Sequence, residues 1–262
     1  MHKKIKFFKY QGAGNDFILI DNRNGFFDRK NETLIRNFCE RRFGIGADGL
    51  MLLQDTKNYD FEMIYYNADG REGTMCGNGG RCIVAFARDL GLIQNKTAFL
   101  AVDGDHIADI HGPQVNLGMI NVSQVTQESD AYILDTGSPH YVKIVEDLKN
   151  FPVYEEGFSI RNSNTYGTNG INVNFVEKEG EGYFLRTFER GVENETYACG
   201  TGATAAAMAM AIHENIEGDI ELPVRVMGGQ LYISFHKEGN IFTNVFLKGP
   251  ATFVFEGEIQ SI

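Results

Sequence analysis

The sequence has few of the features of a secreted, membrane-embedded or nucleic-acid-binding protein. Its 262 residues include four cysteines, too few for a disulfide scaffold. No apolar run approaches the roughly 18 residues of a membrane-spanning helix, and lysines interrupt the N-terminal segment too early for a signal peptide. Lysine and arginine total 24 against 35 acidic residues, a net charge of −11, which argues against nucleic acid or an anionic membrane as the main partner. We therefore expect a cytoplasmic protein.

Several common catalytic and metal-binding patterns are also missing. There is no Cys-x-x-Cys pair, no zinc-like spacing of cysteine and histidine, no phosphate-binding Gly-x-x-x-x-Gly-Lys loop and no Gly-x-Ser-x-Gly. We therefore expect no metal site. Thirty glycines against five prolines favour many tight turns between strands over a flexible linker.

One motif occurs twice, about half the chain length apart. Both copies read Glu-x-x-x-Cys-Gly-x-Gly, at 72–79 and 195–202. Each follows an alternating segment that predicts a strand, 61–66 or 183–188, and precedes an apolar stretch of small residues that predicts a helix. Because this order occurs twice, we predict a duplicated α/β unit.

The helix after the second motif, 203–212, is apolar nearly all round, which places it in the interior of its domain. Strands must then surround the helix. We predict an α+β fold of two pseudo-symmetric α/β domains, each a curled strand layer around a central buried helix. The halves are expected at 1–120, with the Cys76 motif, and at 121–250, with the Cys199 motif.

Other elements follow from local patterns. Residues 32–43 predict an amphipathic helix, and the polar segment 120–130 predicts the crossover between the halves. Cys39, on the apolar face of the first helix, and Cys82, inside the helix after the first motif, are expected to be packing residues. Further strands are predicted at 17–20, 98–102, 115–117, 171–175, 231–235 and 241–247.

A Cys-Gly-x-Gly sequence at the start of a helix combines a reactive thiol with an anion site. Backbone N–H groups there lack intrahelical partners, and the helix dipole favours the thiolate. The flanking glycines let a ligand approach the backbone, whose N–H groups bind a carboxylate. Two such motifs facing each other across a cleft would suit inversion of a carbon stereocentre, because one thiolate removes a proton while the other thiol returns one to the opposite face.

Eight short motifs follow one another along the chain. They lie at 11–17, 42–49, 66–70, 76–82, 137–140, 170–175, 189–191 and 198–202. In these residues the chain resembles the diaminopimelate epimerases over essentially its whole length. The resemblance implies a cofactor-independent isomerase, free of pyridoxal phosphate, that interconverts LL- and meso-2,6-diaminopimelate in lysine and peptidoglycan-precursor biosynthesis. It also implies a homodimer and a last strand, 251–262, that returns to the first domain.

The same resemblance implies a role for each site residue. Cys76 and Cys199 would be the acid and base, with His140 beside Cys76 and Glu189 beside Cys199. The glycine-rich turns would hold the reacting carboxylate, and Arg190 the carboxylate at the other end of the substrate. The implied substrate-binding residues are Asn15, Asn67, Gly77, Asn78, Asn172, Glu189, Arg190, Gly200 and Thr201.

The chain departs from the family pattern at four places, none of them at the two thiols. Gly49 stands where glutamine is frequent, and Ser138 where asparagine is frequent. The segment 162–170 is longer than the usual connection, and Phe255 stands where some members have a tyrosine implicated in dimer contact. These departures bear on substrate contacts and on the dimer.

Four other functions stay open at this point. A proline racemase-like enzyme would act on an amino acid without a second charged end, and a phenazine-biosynthesis isomerase of similar fold would lack the paired thiols. A non-catalytic binder of small anions would use the helix termini alone. A thiol redox protein would form a bridge between Cys76 and Cys199.

Overall fold

The computed structural model describes residues 4–167 and 169–260, and it confirms the predicted α+β fold. The chain forms two compact units. One unit comprises the residues up to Leu117 together with those from Pro250 onward, and the other spans residues 118–249. The ends of the predicted first half, and Thr168 of the 162–170 segment, lie outside the described residues.

The first unit begins with the N-terminal strands. Its elements are β1 (Lys4–Gly12), β2 (Asn15–Asp21), α1 (Glu32–Cys39), β3 (Gly49–Gln54), β4 (Phe61–Asn67), α2 (Gly77–Asp89), β5 (Lys96–Ala101), β6 (Gly104–His111) and β7 (Gln114–Gly118).

The second unit repeats this succession of strands and helices. Its elements are β8 (Val125–Glu128), β9 (Ala131–Asp135), β10 (Pro139–Ile144), a 3₁₀ turn (Leu148–Asn150), α3 (Val153–Arg161), β11 (Asn172–Glu179), β12 (Gly182–Glu189), β13 (Asn194–Thr196), α4 (Gly200–His213), β14 (Gly218–Val226), β15 (Gly229–Glu238) and β16 (Ile241–Pro250). The last strand, β17 (Thr252–Gln260), pairs antiparallel with β1 of the first unit.

The two units pair their strands in the same order of orientations. In the first, β1–β2 is antiparallel, β2–β3 parallel across α1, β3–β4 antiparallel, β4–β5 parallel across α2, and β5–β6 and β6–β7 antiparallel. In the second, β9–β10 is antiparallel, β10–β11 parallel across α3, β11–β12 antiparallel, β12–β14 parallel across α4, and β14–β15 and β15–β16 antiparallel. This agreement confirms the duplicated architecture.

Each unit surrounds one buried helix with strands, as predicted. The first eleven residues of α2 are buried, and α2 packs against β1, β2, β3, β4, β6 and β17. The first twelve residues of α4 are buried, and α4 packs against β9, β10, β11, β12, β14 and β15. Glycine and alanine keep the helix surfaces narrow, so strands approach closely. A Cβ atom on Gly80 would lie 2.8 Å from Leu117 Cδ2 of β7.

Two local predictions are corrected by the structure. The helix predicted at 32–43 ends at Cys39, because Glu40 has extended backbone angles and its carboxylate accepts the N–H of Phe43 at 2.8 Å. The segment 120–130, predicted as a crossover, carries strand β8 and a bridge between Val122 and Phe242. Its residues pair within the second unit, so the polar composition reflects an exposed strand and not a linker.

None of the helices in the described part of the chain is long and apolar enough to cross a membrane.

Candidate active site

Cys76 is the N-cap residue of α2. Its backbone is extended, with φ −113° and ψ 115°, and its Sγ accepts the N–H of Gly79 at 3.5 Å. The thiol is partly exposed and lies beside the N–H groups that begin the helix. Asn15 Oδ1 lies 4.0 Å from the sulfur. The first unit therefore presents an accessible sulfur at the positive end of a buried helix.

A chain of side-chain hydrogen bonds orients Asn15 toward this sulfur. Asn15 Nδ2 donates to Asp48 at 2.5 Å, and its Oδ1 accepts from Asn78 Nδ2 at 3.3 Å. Asn78 Oδ1 in turn accepts from Arg81 at 2.9 Å. Arg81 is fully buried, and burial lowers the pKa of its guanidinium to about 10, so it stays cationic at neutral pH. The predicted residues Asn15 and Asn78 thus belong to one network that ends on a buried positive charge.

Cys199 repeats the geometry of Cys76 in the second unit. It is the N-cap residue of α4, with φ −118° and ψ 111°, and its Sγ accepts the N–H of Gly202 at 3.4 Å. The side chain is buried, and Thr201 Oγ1 lies 3.5 Å from the sulfur. The carbonyl of Thr201 accepts a hydrogen bond from Thr136 at 2.9 Å, which fixes the first turn of the helix.

His140 lies on β10 in the second unit and is fully buried. Its Nδ1 lies 3.0 Å from Asn174 Nδ2, whereas its Nε2 has no hydrogen-bond partner among the described residues. Burial, together with the nearby charge of Arg190, lowers the pKa of the imidazole to about 3. His140 is therefore neutral near pH 7.

This buried imidazole makes a testable contribution to the pH dependence of stability. The pKa of His140 is lower in the folded than in the unfolded protein, so between pH 6.5 and about 3 only the unfolded chain binds the proton. The free energy of unfolding should fall as pH decreases through this window, by at most about 1.4 kcal/mol per pH unit from this group. Urea denaturation at pH 7, 6, 5 and 4 should show a shallower fall for His140→Gln than for the unsubstituted protein.

His236 provides a control, because its pKa is shifted in the opposite direction from that of His140. Its hydrogen bonds to Asp219 and Glu238 raise the pKa of this exposed imidazole, so its contribution to stability is present at low pH and lost as pH rises. The free energy of unfolding should therefore fall slightly more steeply at acid pH in His236→Gln than in the unsubstituted protein. Equal slopes for His140→Gln and the unsubstituted protein would show that His140 is not held neutral.

Asn172, Ser138 and Arg190 form a second polar cluster in the same unit. Asn172 Nδ2 donates to Ser138 Oγ at 2.8 Å, and Asn172 Oδ1 accepts the backbone N–H of Arg190 at 2.9 Å. The Arg190 guanidinium donates to Ser138 Oγ at 3.3 Å and to the Asn169 carbonyl at 3.2 Å. It forms no ion pair with a carboxylate of residues 4–167 or 169–260. A guanidinium whose hydrogen-bond partners are neutral can bind a carboxylate ligand by donating to it.

Glu189 ends β12, immediately before Arg190. Its Oε2 accepts a hydrogen bond from Thr196 Oγ1 at 2.9 Å. Its backbone carbonyl accepts the N–H of Glu193 at 2.8 Å, which closes the turn into β13. The predicted pairings of Glu189 with Cys199 and of His140 with Cys76 stay predictions.

Asn67 ends β4 and is paired in register with Gly49. A Cβ atom on Gly49 would lie 2.5 Å from both the Tyr65 ring and the Tyr66 carbonyl, and one on Gly73 would lie 2.8 Å from the same Tyr65 ring. Tyr65 therefore fills the space between two glycines. A larger residue at position 49 would require the ring and the neighbouring strand to move.

The structure brings the predicted residues together in three groups. Cys76, Gly77, Asn78 and Asn15 lie at the start of α2; Cys199, Gly200 and Thr201 lie at the start of α4; Asn172 and Arg190 share the cluster around Ser138. Sequence reasoning missed three neighbouring residues. Asn174 donates to the Asn172 carbonyl, Thr187 donates to Asn174, and the Tyr65 ring lies beside Gly49 and Gly73. The available signal for Asn174 was a polar residue inside the otherwise apolar run 173–176.

Structural comparison defines the class of fold first. The chain aligns with a Bacillus anthracis phenazine biosynthesis protein of the PhzF family at a TM-score of 0.78 and 15% identity, over 98% of this chain and 99% of that one. It aligns with a hydroxyproline epimerase from Agrobacterium vitis at a TM-score of 0.77 and 13% identity, over 99% and 92% of the two chains. At such low identity these likenesses establish a common fold.

Sequence comparison identifies the family within that fold. The diaminopimelate epimerase family model matches residues 7–119 and 132–254. A diaminopimelate epimerase from Flavobacterium psychrophilum is 52% identical over 97% of this chain and 100% of its own length, and one from Chlorobaculum tepidum is 42% identical over 95% and 98%. The chain belongs to the diaminopimelate epimerase family.

Proposed function

We propose that this protein is an isomerase that interconverts LL- and meso-2,6-diaminopimelate without a cofactor, as a step in lysine and peptidoglycan-precursor biosynthesis. The observation that carries the proposal is the repeated thiol. Cys76 and Cys199 each form the N-cap of a buried helix and each accept the N–H of a glycine three residues later. Membership of the diaminopimelate epimerase family supports the same reaction.

The proposed chemistry is proton transfer at the α-carbon. One cysteine, as the thiolate, takes the α-proton and becomes a thiol, and the electron pair left on carbon is delocalised into the adjacent carboxylate. The other cysteine, as the thiol, gives its proton to the opposite face of the carbon and becomes a thiolate. The roles exchange in the reverse direction, so no external base or redox partner is consumed.

Stabilisation of the developing negative charge is assigned to the helix N-termini. Backbone N–H groups of Gly77 and Asn78, and of Gly200 and Thr201, would hold the reacting carboxylate, because they begin helices and lack intrahelical partners. A buried helix N-terminus acts more strongly than an exposed one, since less water screens it. We propose that the neutral imidazole of His140 and the carboxylate of Glu189 adjust the protonation of the two thiols.

The cluster around Ser138 supports diaminopimelate over an amino acid with a single charged end. We assign the distal carboxylate of the substrate to Arg190, and the distal polar contacts to Asn172 and Asn67. The backbone N–H of Arg190 is held by Asn172 Oδ1, which restricts where the guanidinium can reach. Proline offers no second carboxylate for this group.

Replacing Arg190 tests this assignment. Arg190→Gln should lower kcat/KM for diaminopimelate by about tenfold to a hundredfold, mainly through KM, because a charge-assisted hydrogen bond contributes about 1.5–3 kcal/mol. Steady-state kinetics in both directions would measure the effect. Arg225→Gln, at an exposed ion pair with Glu179, is the control and should leave kcat/KM unchanged. Equal values of kcat/KM for Arg190→Gln and the unsubstituted protein would show that Arg190 does not bind the substrate.

The proposed function is tested by isotope exchange from the solvent. In D₂O, and without added cofactor, the protein should incorporate deuterium at an α-carbon of diaminopimelate while converting the LL isomer into the meso isomer. NMR and chiral chromatography would follow both events. Faster turnover of proline than of diaminopimelate would favour the racemase alternative. Binding without exchange, unaffected by alkylation of the cysteines, would favour a non-catalytic anion binder.

We also propose that the protein acts in the cytoplasm as a homodimer. This proposal rests on family membership and on the family resemblance of the sequence. Sedimentation equilibrium of the purified chain should give a mass near twice 29.3 kDa. A single species at 29.3 kDa over the micromolar range would contradict the dimer.

A further inference from the structure

The strands beneath the two catalytic helices differ between the units. In the parallel pair β2–β3, Phe17 lies opposite Gly49, and in the equivalent parallel pair β10–β11, His140 lies opposite Asn172. His140 therefore occupies the position that Phe17 occupies in the first unit. At this position the second unit has a polar side chain and the first unit an apolar one.

A second pair of equivalent positions shows the same difference. A Cβ atom on Gly79 would meet Met51 Sδ at 3.1 Å, whereas one on Gly202, the equivalent glycine, would overlap Asn174 Oδ1. Asn174 therefore takes the position of Met51, next to Gly202, whose N–H donates to the Cys199 thiol. His140 and Asn174 are both fully buried, and a buried polar pair is costly unless its hydrogen bonds are specific.

The hydrogen bonds of Asn174 determine which way its amide faces. Its Nδ2 donates to the Tyr141 carbonyl at 3.0 Å, and a carbonyl can only accept. Its Oδ1 accepts from Thr187 Oγ1 at 3.0 Å. The nitrogen of the amide therefore faces His140 Nδ1, 3.0 Å away.

An N–H donor facing Nδ1 determines the tautomer of the imidazole. Nδ1 must accept, so the single proton of neutral His140 is on Nε2. Nε2 is buried and has no hydrogen-bond partner within the part of the chain that the structure describes. A buried N–H donor left without a partner is costly, and a bound anion would supply one.

We propose that Asn174 is a positioning residue that holds His140 as the neutral Nε2–H tautomer, so that His140 offers an N–H donor to the anionic reactant. The inference rests on the proposed function for the identity of that anion. Asn174 does not itself touch the reactant; it acts through His140. Thr187 supports it by fixing the amide oxygen.

The tautomer is read directly by NMR. In protein labelled with ¹⁵N-histidine, at pH 7 and without substrate, the signals of His140 should comprise a pyridine-type Nδ1 and a pyrrole-type Nε2 bearing hydrogen. The chain has six histidines, so His140→Gln identifies the signals by their loss. A pyrrole-type Nδ1 in the unsubstituted protein would overturn the proposal.

Asn174→Asp is the informative variant, because a carboxylate oxygen facing Nδ1 accepts a proton there. Its His140 should carry hydrogen on Nδ1, and kcat for diaminopimelate should fall about a hundredfold with KM changed less than threefold. Thr187→Val should give a smaller loss of kcat, about threefold to tenfold, and it provides the comparison if Asn174→Asp does not fold. Unchanged kcat in Asn174→Asp, with the proton moved to Nδ1, would overturn the proposal.

The tautomer measurement also separates this inference from the proposed function. An unsubstituted protein that has Nε2–H but does not epimerise diaminopimelate would contradict the proposed function and support the positioning by Asn174. An active enzyme with Nδ1–H would contradict the positioning alone.

Discussion

Replacing either Cys76 or Cys199 by serine is expected to lower the rate of epimerisation by about a thousandfold or more. A positioned acid or base contributes about 10² to 10⁴ to the rate, and a hydroxyl ionises far less readily than a thiol. Serine is also a favourable N-cap residue, so both helices should form as before. The exchange of α-hydrogen with D₂O and the conversion between isomers should be measured separately for each variant.

Cys39→Ala is the matched control for a cysteine outside the site. Cys39 is buried in the hydrophobic core of the first unit, and burial raises the pKa of its thiol to about 12. The control variant should keep its activity and lose some stability through a small cavity. Activity within tenfold of the unsubstituted enzyme in either Cys76→Ser or Cys199→Ser would contradict the two-thiol mechanism.

The second large effect is expected at Gly202. An alanine methyl group there would overlap Asn174 Oδ1 and lie 3.2 Å from Cys199 Sγ. Asn174 is held by hydrogen bonds to four residues, so it cannot yield without breaking a bond to Thr187, Tyr141, His140 or Asn172. Gly202→Ala should therefore reduce kcat by about a hundredfold or more, and lower the free energy of unfolding by about 2–3 kcal/mol.

Gly79→Ala is the matched control because Gly79 occupies the equivalent position in the first unit. Its methyl group would meet the flexible end of Met51 at 3.1 Å, and a methionine side chain can move aside. The loss of kcat and of stability should therefore be several times smaller in Gly79→Ala. Kinetics and urea denaturation of the two variants measure the comparison, and equal losses would show that Asn174 is no more rigid than Met51.

The family and the general fold could be predicted from the sequence because their signals are local. The repeated Glu-x-x-x-Cys-Gly-x-Gly motif and the apolar helix at 203–212 predicted two copies of a strand-wrapped helix, which the strand pairings confirm. The local errors have local causes. The amphipathic pattern at 32–43 continued past Cys39, but the helix ends there because Glu40 is extended and its carboxylate accepts the N–H of Phe43.

The finer organisation of the site could not be predicted, since it depends on contacts between distant segments. The sequence showed only that Gly49 stands where glutamine is frequent, whereas the pairing of β3 with β4 places the Tyr65 ring in the space beside it. Nothing in the sequence near Gly49 or near Tyr65 indicates that these two residues lie side by side. The same holds for Asn174, whose role depends on its strand neighbours.

The amino-acid sequence alone determined that this chain carries two helix-capping thiols in duplicated settings and belongs with enzymes that have the same motifs. Each signal lies within a few consecutive residues, where helix capping and apolar periodicity act. Only the tertiary structure decided that the second unit has a buried His140–Asn174–Thr187 network, in which His140 and Asn174 take the positions of Phe17 and Met51 of the first unit. Strand register brings these three residues together, and the direction of each hydrogen bond then follows from which atoms can donate and which can only accept.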